Sequence, residues 1–332
     1  MKAYRTALFA TAFAASLAAS GASRAENEKT TIAMPILTVT FTPTYVALDG
    51  GFWSKAGLDV TLHDISGLGS TNAMLAGSVD FAVQSGPSLI RGNIRGQKML
   101  GTALMANGVA FEINMRPEAL GGITSSSPLV ERAKSLKGKK IAVDSPNTIV
   151  HAYLRYIAKK GNVDPERDIT VVSMQPENAI AALKSGAIDA GAFVFPWTKT
   201  AQRQGNVLIA SGITDVPELL PFGSTTTTTR PDFCDKKPTI CTKLGEGYAM
   251  AHAYIHDNPK ESLEILKKRM PMIHPDDLSG SFTQMQKTTP RSPKFTDEGL
   301  AHAQELMIIG GMIKEDEKLK SFSEIYTNKY IK

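Results

Sequence analysis

The chain has 332 residues, 42% of them hydrophobic and 21% charged, with two cysteines, six histidines and a formal net charge of +5. The mild positive excess is not gathered into an arginine-rich helix or a basic run interleaved with aromatics, so no nucleic-acid partner is expected. Lys2 and Arg5 precede an apolar, small-residue run from Thr6 to Gly21 that ends in Ser23-Arg24-Ala25, which predicts a secretory signal peptide over residues 1–25 with cleavage before Glu26.

That run is shorter than the roughly 20 residues of a membrane span. The only cysteines are Cys234 and Cys241, so no lipid anchor is expected at the cleavage point. Losing residues 1–25 removes three cations and no carboxylate, which leaves +2 on a mature chain of 307 residues. A chain of that length exceeds one ordinary core and is expected to form two lobes.

In chain order, an apolar strand and a helix lead to a second strand at Asp59 to Asp64, a short helix ending at Ala76-Gly77, and another strand from Ser78 to Val83. The same order returns 109 residues later. Asp59-Val60-Thr61 recurs as Asp168-Ile169-Thr170, and Ala73, Gly77, Asp80, Pro87 and Gly96 recur as Ala182, Gly186, Asp189, Pro196 and Gly205. Strand and helix in alternation imply a parallel sheet in each copy. Gly77 and Gly186 suit left-handed helix stops, and Pro87 and Pro196 suit helix starts, so these repeated residues read as architecture.

Between the copies, Phe111-Glu112-Ile113-Asn114-Met115 reads as a strand leaving the first lobe. Gly223 to Arg230, with five consecutive threonines, reads as one returning to it, since β-branched residues favour extended structure over a linker. These segments are the expected hinges. The division is then residues 26–114 for the first part of lobe 1, 115–223 for lobe 2, and 224–332 for the rest of lobe 1. Cys234 and Cys241 enclose a polar, proline-containing hexapeptide, and export to an oxidising compartment predicts a disulfide between them. Beyond Pro238, helical spacing over Leu244 to His256, Pro259 to Arg269, Pro275 to Lys287 and Thr296 to Ile309 predicts a helical tail over the first lobe.

Three segments in order resemble one known family: Tyr45-Val46-Ala47-Leu48-Asp49-Gly50-Gly51-Phe52-Trp53-Ser54-Lys55-Ala56-Gly57-Leu58, then Ala73-Met74-Leu75-Ala76-Gly77-Ser78-Val79-Asp80, then Leu136 to Val143 with Ala181-Ala182-Leu183, Gly186 to Ala190 and Pro196-Trp197. The chain is similar over nearly its whole mature length to the SsuA/THI5-like (NMT1-like) solute-binding proteins of ABC importers for sulfonate, taurine, nitrate and thiamine-pyrimidine. The resemblance implies an α/β type II periplasmic-binding-protein fold, with two lobes, a central cleft and two crossover strands. It also implies a periplasmic protein that shuts on its cargo by hinge closure and delivers it to an inner-membrane permease. A monomer without cofactor or metal is expected.

Ligands of open parallel sheets bind beyond the carboxyl ends of the strands, where helix N-termini present free N–H groups. That rule selects Thr40, Phe41, Thr42, Gly67, Gly69, Ser70, Thr71, Gln84 and Ser85 in the first lobe, and Asp144, Ser145, Asn147 and Thr148 in the second. Ser70 or Thr71 serves equally as an ordinary helix cap. Phe41, Tyr45, Phe195 and Trp197 are candidates for an aromatic wall, with core packing as the alternative for Tyr45 and Trp197. Relatives in the family often carry an acidic residue where Phe195 stands, which points away from an amino-sulfonate and toward a sulfonate-like organic anion or a heteroaromatic.

An enzyme would need a nucleophile, base or metal cluster. His252 and His256 are four apart, but Ala253-Tyr254-Ile255 lacks the glutamate of a zinc-protease helix. The alternatives kept are a ligand-loaded sensor that docks on a membrane receptor and an exported enzyme on the same fold.

Overall fold

The computed structural model describes residues 26–332, so the signal peptide expected over 1–25 lies outside the described residues. The chain begins with β1 (Glu28–Met34), α1 (Thr42–Asp49), α2 (Phe52–Lys55), β2 (Leu58–Asp64), α3 (Leu68–Leu75), β3 (Phe81–Ser85), α4 (Gly86–Ile94) and β4 (Leu100–Ala106). It crosses to β5 (Phe111–Met115), α5 (Leu129–Lys134), β6 (Lys140–Val143), α6 (Ile149–Lys160), β7 (Thr170–Ser173), α7 (Pro176–Ser185), β8 (Ala190–Val194), α8 (Trp197–Arg203) and β9 (Val207–Ser211). It returns as β10 (Thr225–Thr229) and ends in α9 (Phe233–Lys236), α10 (Pro238–Asp257), α11 (Pro259–Arg269), α12 (Pro275–Thr288) and α13 (Asp297–Ile309).

Two five-stranded sheets result, in the orders β2-β1-β3-β10-β4 and β7-β6-β8-β5-β9. The repeat seen in the sequence is therefore a repeat of form. In each sheet three parallel strands are followed by one antiparallel strand that has come from the other side of the molecule. Gly77 and Gly186 both sit at positive φ, +81° and +77°, where a Cβ would be strained. Asp80 accepts from Thr30 Oγ1 at 2.8 Å and from Thr31 N at 3.2 Å, and Asp189 accepts from Lys140 N at 2.9 Å. Each carboxylate thus tethers a central strand to its neighbour, which is the architectural role the repeat suggests.

The crossovers differ from the expected hinges. Phe111–Met115 pairs along its length with β8 and β9, so it is an interior strand of the second sheet and the chain crosses before it, in residues 107–110, not after residue 114. β10 in turn fills the slot between β3 and β4, and all five of its threonines are buried. Both strands are captured by the sheet they enter because that sheet has an open ladder edge between its third and last strands, and unpaired backbone there would be costly.

One core cluster packs α1, α10, α11 and α12 on the first sheet around Trp53, Phe81, Tyr248 and Phe282. A second runs without a break from the first lobe into the second, through Leu89, Phe111, Tyr153, Leu300 and Leu306. Helices α10 to α12 of the tail pack on the first sheet, and α13 wedges between α4 of one lobe and α6 of the other. Cys234 and Cys241 are joined in a disulfide that ties α9 to α10. Among the described residues no helix is long and apolar enough to cross a membrane.

Candidate ligand cavity between the lobes

The carboxyl ends of the parallel strands in both sheets face one another, and a cavity of about 330 Å³ lies between them. From the first lobe its wall takes Thr38, Thr40, Phe41, Gln84 and Ser85, and from the second Val143, Asp144, Ser145, Phe193 and Gln175. The wall is largely apolar with a few polar groups, and its size is at the lower end of the roughly 300–1,000 Å³ of small-molecule sites.

Local sequence explains the placement of these groups. Ser85 caps α4 by accepting from Ser88 N at 3.1 Å, so it is fixed where β3 ends and the cavity begins. Gln84 is pinned inside the first lobe, with its carbonyl accepting from Thr71 Oγ1 at 2.9 Å and its amide donating to Thr228 Oγ1 at 3.0 Å. Thr148 caps α6 by accepting from His151 N, and its hydroxyl donates to Asp144 Oδ1 at 2.8 Å. Burial pushes the Asp144 carboxyl above the usual carboxylate range, against the opposing pull of that hydroxyl.

The lobes are drawn together around the cavity. Thr38 Oγ1 of the first lobe donates to the Phe195 carbonyl of the second at 2.9 Å. Arg91 donates to the Asn147 carbonyl at 3.0 Å at one rim, and Thr200 and Arg203 both donate to the buried Asp277 of α12 at 2.9 Å at another. These bonds join the lobes at several points around the cavity.

Of the residues selected from sequence, the structure brings Thr40, Phe41, Gln84, Ser85, Asp144 and Ser145 to the cavity wall. The others lie elsewhere. Thr42 is buried and donates to the Val39 carbonyl at 2.6 Å, and Tyr45 is core, its hydroxyl pushed up to about 12 by burial. Gly67 opens onto an outer groove of about 1350 Å³ that adjoins the cavity, shares Pro35, Ile36, Asp144 and Gln175 with its wall, and holds the Asp49–Arg269 pair at 2.6 Å. A Cβ on Gly69 would meet the Ile65 side chain at 3.1 Å, and Ser70 donates to the Gly67 carbonyl at 2.9 Å, so this turn is satisfied within itself. Thr71 is occupied by Gln84, and Thr148 braces Asp144 from behind. Asn147 sits on the rim at φ 60° and receives Arg91.

The aromatic wall is corrected most. Phe195 is fully buried and belongs to the core cluster of the first lobe, although its backbone belongs to the second. Trp197 is half-buried and borders an adjoining recess of about 500 Å³ with Met270 and Met272, which shares Ile36, Gln175 and Pro176 with the cavity. Phe41 is joined at the cavity by Phe111 and Phe193, which were not selected.

Ser224 and Thr225 were also missed, and the reason is geometric. A strand that enters a parallel sheet antiparallel presents its first residues at the end where its neighbours present their last. Thr225 pairs with Ser85 and Phe111 pairs with Val194. The two crossover segments were visible in the sequence, and applying that reversal to them would have found both.

His252 Nδ1 contacts the Pro290 carbonyl at 2.6 Å and His256 Nε2 contacts the Thr289 carbonyl at 2.8 Å. Because a carbonyl only accepts, His252 carries its proton on Nδ1. The pair holds the chain after α12 and is remote from the cavity wall.

The family profile described as NMT1/THI5 like matches residues 38–262. The chain belongs to that family. Among curated relatives, the nitrate/nitrite binding protein NrtA of Synechocystis is 25% identical over 246 residues, which cover 68% of this chain and 54% of that protein. The chain therefore spans about half the length of this relative. Among solved structures, the periplasmic aliphatic sulphonate binding protein SsuA from Escherichia coli superposes with a TM-score of 0.71 at 16% identity, covering 90% of this chain and 92% of that one. The desulfurization enzyme DSZB superposes with a TM-score of 0.66 at 13% identity over 92% of this chain and 97% of that one. At such identities the structural likeness establishes the two-lobed fold alone, and it includes both a binding protein and an enzyme.

Proposed function

We propose that this chain is the solute-binding component of an ABC importer, held in the periplasm, where it captures a small organic molecule between its lobes and delivers it to the membrane permease. The observation that carries this reading is the cavity walled by the carboxyl ends of the parallel strands of both sheets, with the lobes hydrogen-bonded to each other beside it. Contacts that exist only in the shut form bias the hinge toward closure when cargo is present, and a shut form distinct from the empty one is what a permease can recognise. The family and the name of the nitrate/nitrite binding relative support a binding role over catalysis.

The cargo classes implied by the family differ in fit. A cavity of about 330 Å³ with Phe41, Phe111 and Phe193 in its wall suits a ring or a short carbon chain, and nitrate would leave most of it unfilled. A sulfonate-bearing organic molecule and a heteroaromatic both match it in size. The test is thermal unfolding of ligand-stripped protein with alkyl and aryl sulfonates, aromatic carboxylates, nitrate, taurine and thiamine-type pyrimidines. A ligand at about one hundred times its Kd adds ~2.7 kcal/mol, which at this chain length is a rise of several degrees in Tm. A rise with one organic class and none with nitrate supports the reading. No rise with any member of the panel counts against it and favours a catalytic use of the fold.

A further inference from the structure

The charge on the cavity wall is unusual for a site meant for an anion. Among the described residues lining it there is no lysine, arginine or histidine, and there is one carboxylate, Asp144. Cations stand at the rim and in the outer groove that adjoins the cavity. Arg91 is bound to the Asn147 carbonyl at the rim, and Lys268 and Arg269 line the outer groove, which Asp144 and Gln175 also border, with Arg269 held by Asp49. No salt bridge to Asp144 occurs among the described residues, and Thr148 is the one side chain hydrogen-bonded to it there.

The opposing influence is the start of α6. Ile149 and Val150 border the cavity as its first two residues, so their backbone N–H groups and the helix dipole favour an acceptor. That dipole amounts to about half a positive charge. An ionised Asp144, a full negative charge just upstream of the same helix, outweighs it. An organic anion with no donor group would meet net repulsion there, whereas a protonated nitrogen or an N–H edge would satisfy a carboxylate that is otherwise desolvated and without a counter-ion.

We infer that Asp144 is the specificity-determining residue of the cavity, and that the cargo carries a protonated nitrogen or an N–H donor on an apolar ring-sized body. The inference rests on the receptor reading given above and narrows it. Burial already pushes the Asp144 carboxyl up, as a carboxylate waiting for a partner would be. Cargo would give one N–H to the free side of Asp144, and an acceptor atom beside it would take the N–H groups that open α6.

Four probes sharing one ring separate the possibilities by calorimetry: benzamidinium, benzamide, benzoate and benzenesulfonate. In the unmodified protein benzamidinium is expected to bind at least tenfold more tightly than either anion, with neutral benzamide between. Asp144→Asn keeps an acceptor for Thr148 and removes the charge. It is expected to weaken benzamidinium about tenfold and to leave benzamide within about twofold. Tighter binding of benzenesulfonate than of benzamidinium overturns the inference, and so does an unchanged benzamidinium affinity in Asp144→Asn. In both cases a probe still occupies the cavity, so the receptor reading stands. If none of the four binds, the inference fails, and the receptor reading is then judged by the broader thermal panel.

Discussion

The two lobes share one plan and use their corresponding positions in opposite ways. At the end of β3 the first lobe places Gln84, Ser85 and Gly86, and at the matching end of β8 the second places Phe193, Val194 and Phe195. The first lobe brings Thr38, Thr40, Gln84 and Ser85 to the cavity beside Phe41, and is polar also within, where Tyr248 bridges Thr44 and Thr227 at 3.1 and 2.7 Å. The second lobe offers Val143, Phe193 and Val194, with Asp144, Ser145 and Gln175 beside them. A Cβ on Gly86 would fall 2.0 Å from the Gly223 carbonyl, so that site is closed to a side chain. Its counterpart Phe195 instead sends a whole ring across the gap into the core of the other lobe. A duplicated scaffold thus keeps its tethers, Asp80 and Asp189, and varies the loop beyond the strand. One copy of that loop contacts the cavity and the other fastens the lobes together.

The largest expected effect falls on that fastening. Phe195→Ala removes a fully buried ring and is expected to destabilise the protein by about 3–5 kcal/mol in urea unfolding. A loss under about 1 kcal/mol would mean that the ring is not held by the first lobe. Acid should weaken the first lobe next. Burial holds His252 at about 4, against 6.5 for an ordinary histidine, so the unfolded chain takes up a proton between those values that the folded chain refuses. Stability is then full above pH 6.5 and falls as the pH drops toward 4, by up to ~3 kcal/mol. His252→Gln, which still donates to the Pro290 carbonyl, is expected to flatten that acid slope. An unchanged slope would assign the acid response to other groups.

Removing the hydroxyl that links the lobes, Thr38→Val, leaves the buried Phe195 carbonyl without its donor and is expected to cost about 1–2 kcal/mol. The loss should show in the same unfolding curves, and its absence would show that the carbonyl finds water. The smallest effects test the likeness of the lobes. Gly77→Ala and Gly186→Ala each place a Cβ at positive φ and are each expected to cost about 1 kcal/mol. Costs differing by more than that would mean the two helix stops are not equivalent.

Much of the fold was legible because it is written twice. The ordered recurrence of Ala73, Gly77, Asp80 and Pro87 marked the duplicated unit, and proline and cap residues located the tail helices, with Pro259–Arg269 matched at both ends. The candidate site was legible at the carboxyl ends of the parallel strands and in the loops just beyond them, as Gln84, Ser85, Asp144 and Ser145 show. Phe195 also follows such a strand, yet its ring is an inter-lobe contact, and a pattern read within one copy carries no information about the packing of the other. The turn at Gly67 to Thr71 resembles an oxyanion cradle in composition. Its hydroxyls are consumed by the Gly67 carbonyl and Gln84, a choice set by tertiary neighbours rather than by local sequence.

The central claim is that cargo is held between the lobes by both of them. The direct test is a crystal structure of the protein with the compound that most raises its Tm. The expected result is a ligand between Phe41 and Phe193, touching Ser85 of the first lobe and Asp144 of the second. A ligand confined to the outer groove beside Arg269, or bound to one lobe alone, would contradict the account.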